Sequence, residues 1–213
     1  MIIPTSEARS GRSIGRAKTE KTLRGVTPRT PKVKIRRVVA TEWKSFRDLR
    51  LRALKADPLA FGSNFRRENA YPPSRWRKWS ENGALGDESA TFVAEGPARC
   101  LVGMAGVFTD RNEYHVWGMW VSPDFRGRGL GRKLLDQALS WAQSTNPSRG
   151  ICLEVNPGQS IAVQLYESRG FRPTGKTSSL GHHAPAIVQE MRREPASMAT
   201  GKPSRRKSPG QRV

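Results

Sequence analysis

The hydrophobic and polar positions of this chain alternate between the two-residue period of strands and the 3.6-residue period of helices. Residues 33–39, Val-Lys-Ile-Arg-Arg-Val-Val, predict an opening strand. Thr41 then offers an N-cap. Trp43, Phe46, Leu49, Leu51, Ala53 and Leu54 follow at helical spacing until Asp57-Pro58 stops them. Pro72-Pro73-Ser74 opens a second, short helix with Trp76 and Trp79 on one face. Residues 91–95 and 101–108 read as strands parted by Gly96-Pro97, and a fourth strand runs from about Tyr114 to Val121. Leu130, Leu134, Leu135, Ala138, Leu139, Trp141 and Ala142 then mark a long amphipathic helix that Asn146-Pro147 ends. Ile151 to Val155 is a buried-type strand, and Ile161 to Arg169 is a helix closed by Gly170. Phe171 starts another strand, and residues 185–192 supply the last.

Strands outnumber helices, and residues 114–175 run strand, helix, strand, helix, strand. This order predicts an α/β or α+β domain, a sheet covered by helices. No internal repeat is visible, which sets solenoids and propellers aside. The net charge of +20 is unevenly spread. Residues 1–34 hold nine Lys/Arg against Glu7 and Glu20, and residues 195–213 hold five with no acid. Both segments are rich in Ser, Thr, Gly and Pro and lack the apolar area needed to offset chain entropy. The expected organisation is a disordered basic tail over 1–32, one domain over 33–195 and a second basic tail over 196–213. The tails are expected to touch nucleic acid only weakly. The chain has no run of about 18 apolar residues and no apolar signal core at its start, so neither a membrane partner nor a secretory route is expected, and a cytoplasmic location is. Cys100 and Cys152 are too few for a disulfide framework or a Cys-rich zinc site. The adjacent His182 and His183 do not have metal-ligand spacing, and no metal is expected.

The most informative stretch runs from Val121 to Lys133, Val-Ser-Pro-Asp-Phe-Arg-Gly-Arg-Gly-Leu-Gly-Arg-Lys. A strand enters a glycine-rich turn and a helix leaves it at once. Glycines permit positive φ and close backbone approach. The first N–H groups of the helix are unpaired and carry the positive end of its dipole. Together these make an anion site suited to a pyrophosphate. A Walker loop would need Gly-Lys-Ser/Thr, and a dinucleotide fingerprint would need glycine at position 132, where Arg stands.

The spacing Arg126-x-x-Gly129-x-Gly131 resembles the acetyl-CoA signature of the GNAT superfamily of N-acetyltransferases. Three further stretches resemble the same family. They are Val121 to Gly127; Ala162-x-x-Leu165-Tyr166-Glu167-x-x-Gly170-Phe171; and Leu49 to Leu54 with Pro58-x-Ala60-Phe61-Gly62-Ser63. The resemblance spans about residues 34–194. It implies a mixed, mostly antiparallel sheet flanked by helices, splayed beside the fourth strand to form an acetyl-CoA cleft. The pyrophosphate would lie on the backbone of Arg126, Gly127, Arg128, Gly129, Leu130, Gly131 and Arg132. The backbone around Met119 and Val121 would pair with the pantetheine arm. The family commonly has Asn seven residues before its tyrosine, where this chain has Gln159, and Asn156 lies three residues earlier; either is a candidate for pantetheine contacts.

The implied activity is direct transfer of an acetyl group to a primary amine, of a small molecule or a protein, in a ternary complex. The implied partners are acetyl-CoA and the amine, with a homodimer also open. The chemistry needs a base for the amine, donors for the thioester oxygen and an acid for the leaving thiolate. Tyr166 matches the family's usual acid, with a core tyrosine as the plain alternative. Glu113, His115, Trp117, Met119 and Val121 are expected on one face of the fourth strand. The family often places an acid on this strand as the base or uses ordered water, and His115 and Glu113 are the side-chain candidates. His115 has the more suitable intrinsic pKa, and Glu113 would need burial to raise its own. Asp57, Glu68 and Glu81 are acids able to attract a cationic amine. Cys152 reads as inert strand packing. The alternatives are a basic nucleic-acid-binding module and a non-catalytic CoA-binding protein of the same fold.

Overall fold

A computed structural model describes residues 32–180 and 186–195. Seven strands form one sheet in the order β1-β2-β3-β4-β5-β7-β6. They are β1 (Lys34–Arg37), β2 (Ser89–Glu95), β3 (Leu101–Asp110), β4 (Glu113–Val121), β5 (Gly150–Val155), β6 (Arg172–Ser179) and β7 (Ile187–Arg193). Every neighbouring pair is antiparallel except β4 and β5, which are parallel. The mixed, mostly antiparallel sheet expected from the sequence is therefore present. The two tails and the His182-His183 pair lie outside the described residues. Among the described residues, no helix is long and apolar enough to cross a membrane.

Strand alternation sends side chains to two cores. Ala90, Phe92 and Ala94 of β2 face one side, where α4 (Leu130–Thr145) buries Leu134, Leu135, Ala138 and Ala142. Tyr166 of α5 (Ser160–Glu167) and Phe171 join that core. Val93 faces the other side, against α1 (Trp43–Ala56) and α3 (Pro73–Leu85), with Phe46, Leu49, Leu54 and Trp76. Trp76 and Phe46 are at most 1% exposed, so this second core is as dry as the first.

One local expectation is corrected. Thr41 does not cap the first helix. Residues 40–42 form a 3₁₀ turn, and α1 starts at Trp43. Glu42 makes the turn's contacts instead; its carboxylate accepts from Val39 N–H at 2.7 Å and from Arg36 at 2.7 and 2.8 Å. A short helix α2 (Phe65–Asn69), capped by the Asn64 side chain on Arg67 N–H, fills a stretch whose apolar spacing gives no period.

A second correction positions the site. Glu113, His115, Trp117, Met119 and Val121 do not share one face. Gly106 pairs with Trp117 and Met104 with Trp120, so one residue of β3 faces two of β4. This is a β-bulge at Gly118 and Met119, with Gly118 at φ 66°, a conformation that glycine alone adopts freely. The extra residue reverses the alternation. Trp117 and Trp120 both reach the core under α1 and α3, whereas Met119 and Val121 pack toward α4.

Candidate active site

The parallel pairing of β4 and β5 runs only from Glu113–Gly150 to Val116–Leu153. Beyond Val116 the two strands part, at the residue before the bulge begins. Among the described residues, the backbone of β4 from Trp117 to Val121 therefore has β3 on one side and no strand on the other. Ser122 N–H donates to Val102 O at 2.8 Å, which makes Val121 and Gly103 a non-hydrogen-bonded pair. The N–H of Val121 consequently points away from β3, toward the opened side. Its carbonyl is held by Arg126 Nε at 2.9 Å.

The glycine turn closes this opening. Gly127 and Gly129 have φ of 73° and 71°, and a methyl group on either would meet no atom within 4 Å. Gly129 is the N-cap of α4, and no side chain bonds the first N–H groups of that helix. An uncapped 16-residue helix behind an open glycine turn fits a pyrophosphate-sized anion. Helix α5 lies alongside, because a methyl on Gly131 would touch Leu165 at 3.6 Å.

The arginines of the turn differ in use. Arg126 Nη2 donates to Asp57 at 2.5 Å, and Trp120 Nε1 donates to the same carboxylate oxygen at 2.7 Å. Asp57 thus ties the end of α1 to β4 and to the turn. Arg128 donates to Asp124 O and lies over the Phe125 ring. Both side chains brace the loop, while Arg132 and Lys133 stand exposed. At the end of β5, Asn156 Oδ1 accepts from Gly158 N–H at 2.8 Å. Gln159 is the N-cap residue of α5 and makes no side-chain cap.

Tyr166 is buried, packed edge-on against Phe171 with ring centroids 6.0 Å apart. Burial pushes its phenol well above the usual tyrosine range, so the hydroxyl keeps its proton at neutral pH. Glu113 and His115 lie in the closed part of the sheet, opposite Gly150 and Cys152. His115 is six residues before Val121, roughly 20 Å along a strand. Glu113 is also held by other groups. Burial would raise its pKa, but hydrogen bonds from Cys152 (3.3 Å) and Arg192 (2.8 Å), with the Arg192 charge, outweigh it and lower the pKa. A base near neutrality needs the opposite shift. The structure therefore does not bring Glu113 or His115 together with Tyr166.

Burial and the Glu113 carboxylate push the Cys152 thiol up to about 12, which leaves almost no thiolate at neutral pH. Cys100 is exposed. Iodoacetamide at pH 8 is expected to label Cys100 and to spare Cys152 until denaturant is added, as peptide mass mapping would show. Equal labelling of both in the native protein would contradict this burial.

A cavity of about 400 Å³ lies between α1, α2, α3 and β4, with Trp117 in its wall. Its wall holds a buried ion pair that sequence reasoning missed. Arg50 Nε and Nη2 meet Glu68 at 2.9 and 2.8 Å. The two residues lie on different helices, 18 positions apart, so only the folded packing unites them. Asp57 and Glu68 are thus both held by arginines, and Glu81 is exposed. Among the described residues, no group of three His, Cys, Asp or Glu side chains has metal-site geometry.

The acetyltransferase (GNAT) family model matches residues 43–171. A stretch of 131 residues is 30% identical to the N-alpha-acetyltransferase RimI of Mycobacterium tuberculosis, covering 60% of this chain and 77% of that one. An uncharacterized protein of Mycobacterium leprae is 37% identical over 107 residues, which is 48% of this chain but only 29% of that protein. In fold, the chain resembles yncA of Salmonella typhimurium, solved with its cofactor acetyl-CoA. The TM-score is 0.63 at 17% identity, over 76% of this chain and 94% of that one. With the splayed sheet and the glycine turn, these matches establish that the chain belongs to the GNAT family of acetyltransferases.

Proposed function

We propose that the chain transfers an acetyl group from acetyl-CoA to a primary amine by direct attack in a ternary complex. The observation that carries this reading is the separation of β4 from β5 after Val116, directly beside an uncapped helix start at an open glycine turn. Bound acetyl-CoA supplies the thioester carbon. The backbone amides of residues 127–132 hold its pyrophosphate, Arg126 N–H being taken by Pro123 O at 3.1 Å, and the free edge of β4 at Met119 and Val121 receives the pantetheine as an added strand. Asn156 and Gln159 border the same opening. The inward-facing N–H of Val121 is the donor for the thioester oxygen as charge develops there.

The amine nitrogen bonds to the thioester carbon, the C–S bond breaks, the amine gives up a proton, and the departing thiolate takes one from Tyr166. Tyr166 regains its proton from solvent before the next turnover. Water, and neither Glu113 nor His115, takes the amine's proton in this proposal. The amine approaches from the cavity walled by Trp117, on the face of β4 that the bulge turns toward α1 and α3. The domain spans residues 33–195, with the basic tails dispensable for transfer.

Gly129→Leu tests the reading. A side chain at this φ carries strain of about 1–2 kcal/mol and stands where the pyrophosphate would lie. CoA affinity by calorimetry is expected to fall at least tenfold. Gly175→Leu is the control. Its φ is 84° and its surroundings are equally open, but it lies on β6. Equal CoA affinity in both variants would place the cofactor elsewhere.

A further inference from the structure

The cavity beside Trp117 contains donors that the fold does not use. Arg50 is 5% exposed and Glu68 is 1% exposed. Their pairing engages Nε and Nη2 of the guanidinium, but the buried Nη1 has no partner among the described residues. The hydroxyl of Ser63, on the same cavity wall, is likewise buried and unpaired. A buried unmet donor costs about 1–3 kcal/mol, more for a charged group. Two of them on one cavity wall indicate a missing acceptor.

The guanidinium cannot turn away to find one. The Phe61 ring centroid lies 4.5 Å from its Cζ and the Trp117 centroid 5.8 Å from it. Its position is also informative, because a methyl group on Gly118 would lie 3.8 Å from Nη1. The unused donor therefore abuts the bulge where β4 leaves β5. The rest of the wall combines the aromatic rings of Tyr71, Trp79, Phe108 and Trp117 with the polar Asn82, Ser89 and Thr91. Arg67 also lines the cavity, so its charges sum to one positive.

We infer that the acceptor is a small amine carrying a carboxylate within a few bonds of its nitrogen, and an apolar side chain. This inference rests on the acetyl-transfer reading and names its substrate class. The carboxylate completes Arg50 Nη1 and Ser63 Oγ, the apolar part packs on Trp79 and Trp117, and the amine faces the opened edge of β4. Arg50 is thus a specificity-determining residue, held in place by Glu68. The unmet donors and the opened edge of β4 lie along one strand, so a single small molecule such as an amino acid reaches both with its carboxylate and its amine. An aliphatic polyamine would leave both donors unmet.

Binding of products tests this without turnover. N-acetyl-L-phenylalanine, its carboxamide and N-acetylphenethylamine are titrated into the full chain with CoA present, followed by tryptophan fluorescence and calorimetry. The carboxylate is expected to bind at least about tenfold tighter than the other two, as a charge-assisted hydrogen bond would give. Ser63→Ala is expected to weaken the carboxylate about threefold. The double variant Arg50→Met with Glu68→Leu, checked for folding by circular dichroism, is expected to bind all three within about twofold. Equal binding by the acid and its amide in the unaltered chain would overturn the proposal, and so would a preference that survives the double variant. A separate thiol-release assay with acetyl-CoA and phenylalanine tests the transferase reading. If no thiol is released from phenylalanine or from a panel of other primary amines while the carboxylate preference persists, the transferase reading fails and the cavity's selectivity for a carboxylate stands.

Discussion

Glu68→Ala is expected to destabilise the protein by about 3–5 kcal/mol, the usual result of removing one partner of a buried ion pair. The Arg50 and Glu68 side chains are 6% and 2% exposed and meet through two hydrogen bonds. Removal of the carboxylate leaves a guanidinium held between Phe61 and Trp117 without its counter-charge. For a domain of this size the midpoint of thermal unfolding should fall by roughly 10 °C. The double change Arg50→Met with Glu68→Leu removes both charges and should restore most of that loss, because the pair also carries a desolvation cost. Urea unfolding of the three proteins checks both parts. A Glu68→Ala protein within about 1 kcal/mol of the parent would mean that water reaches the pair.

Tyr166→Phe should lower kcat by about 10–10³-fold, around the range for one general acid, and leave CoA affinity nearly intact. The ring still packs on Phe171, so the core is preserved. Thiolate is a fairly good leaving group, which places the expected loss at the lower end. Single-turnover rates, where chemistry limits, separate this from product release. A change confined to KM would assign Tyr166 a binding role. An unchanged single-turnover rate would make it a core tyrosine whose hydroxyl has no part in the step. The burial that raises its pKa also has a sign for stability. The neutral phenol is favoured in the folded state, so this contribution is complete below pH about 10 and is lost as pH rises toward the raised value.

Much of this protein is written in local pattern. The apolar spacing from Leu130 to Ala142 specifies α4, and Asn146-Pro147 ends it, because helix periodicity and its terminators are properties of neighbouring residues. The glycine turn at 126–131 is legible for the same reason, since it requires only a strand end, positive φ and a helix start in succession. The family signature lies in these contiguous stretches, and so does the expectation of a mixed sheet.

Tertiary structure decided the features that depend on partners far along the chain. The bulge at Gly118 is a mismatch between β3 and β4. The sequence of β4 alone shows an unbroken alternation, and that reading set Trp117 and Val121 on one face with Glu113 and His115. The last strand, β7, enters between β5 and β6, where Arg192 reaches Glu113 across 79 positions and holds it away from base chemistry. Arg126 looks like a phosphate ligand in sequence, but Asp57 from the end of α1 takes its guanidinium. In sequence Glu68 reads as an acid able to attract a cationic amine, and nothing pairs it with Arg50. Only the packing of α1, α2 and β4 encloses them and leaves one donor of the pair unmet, because the burial of a charge is set by every element around it and not by its own neighbours in sequence.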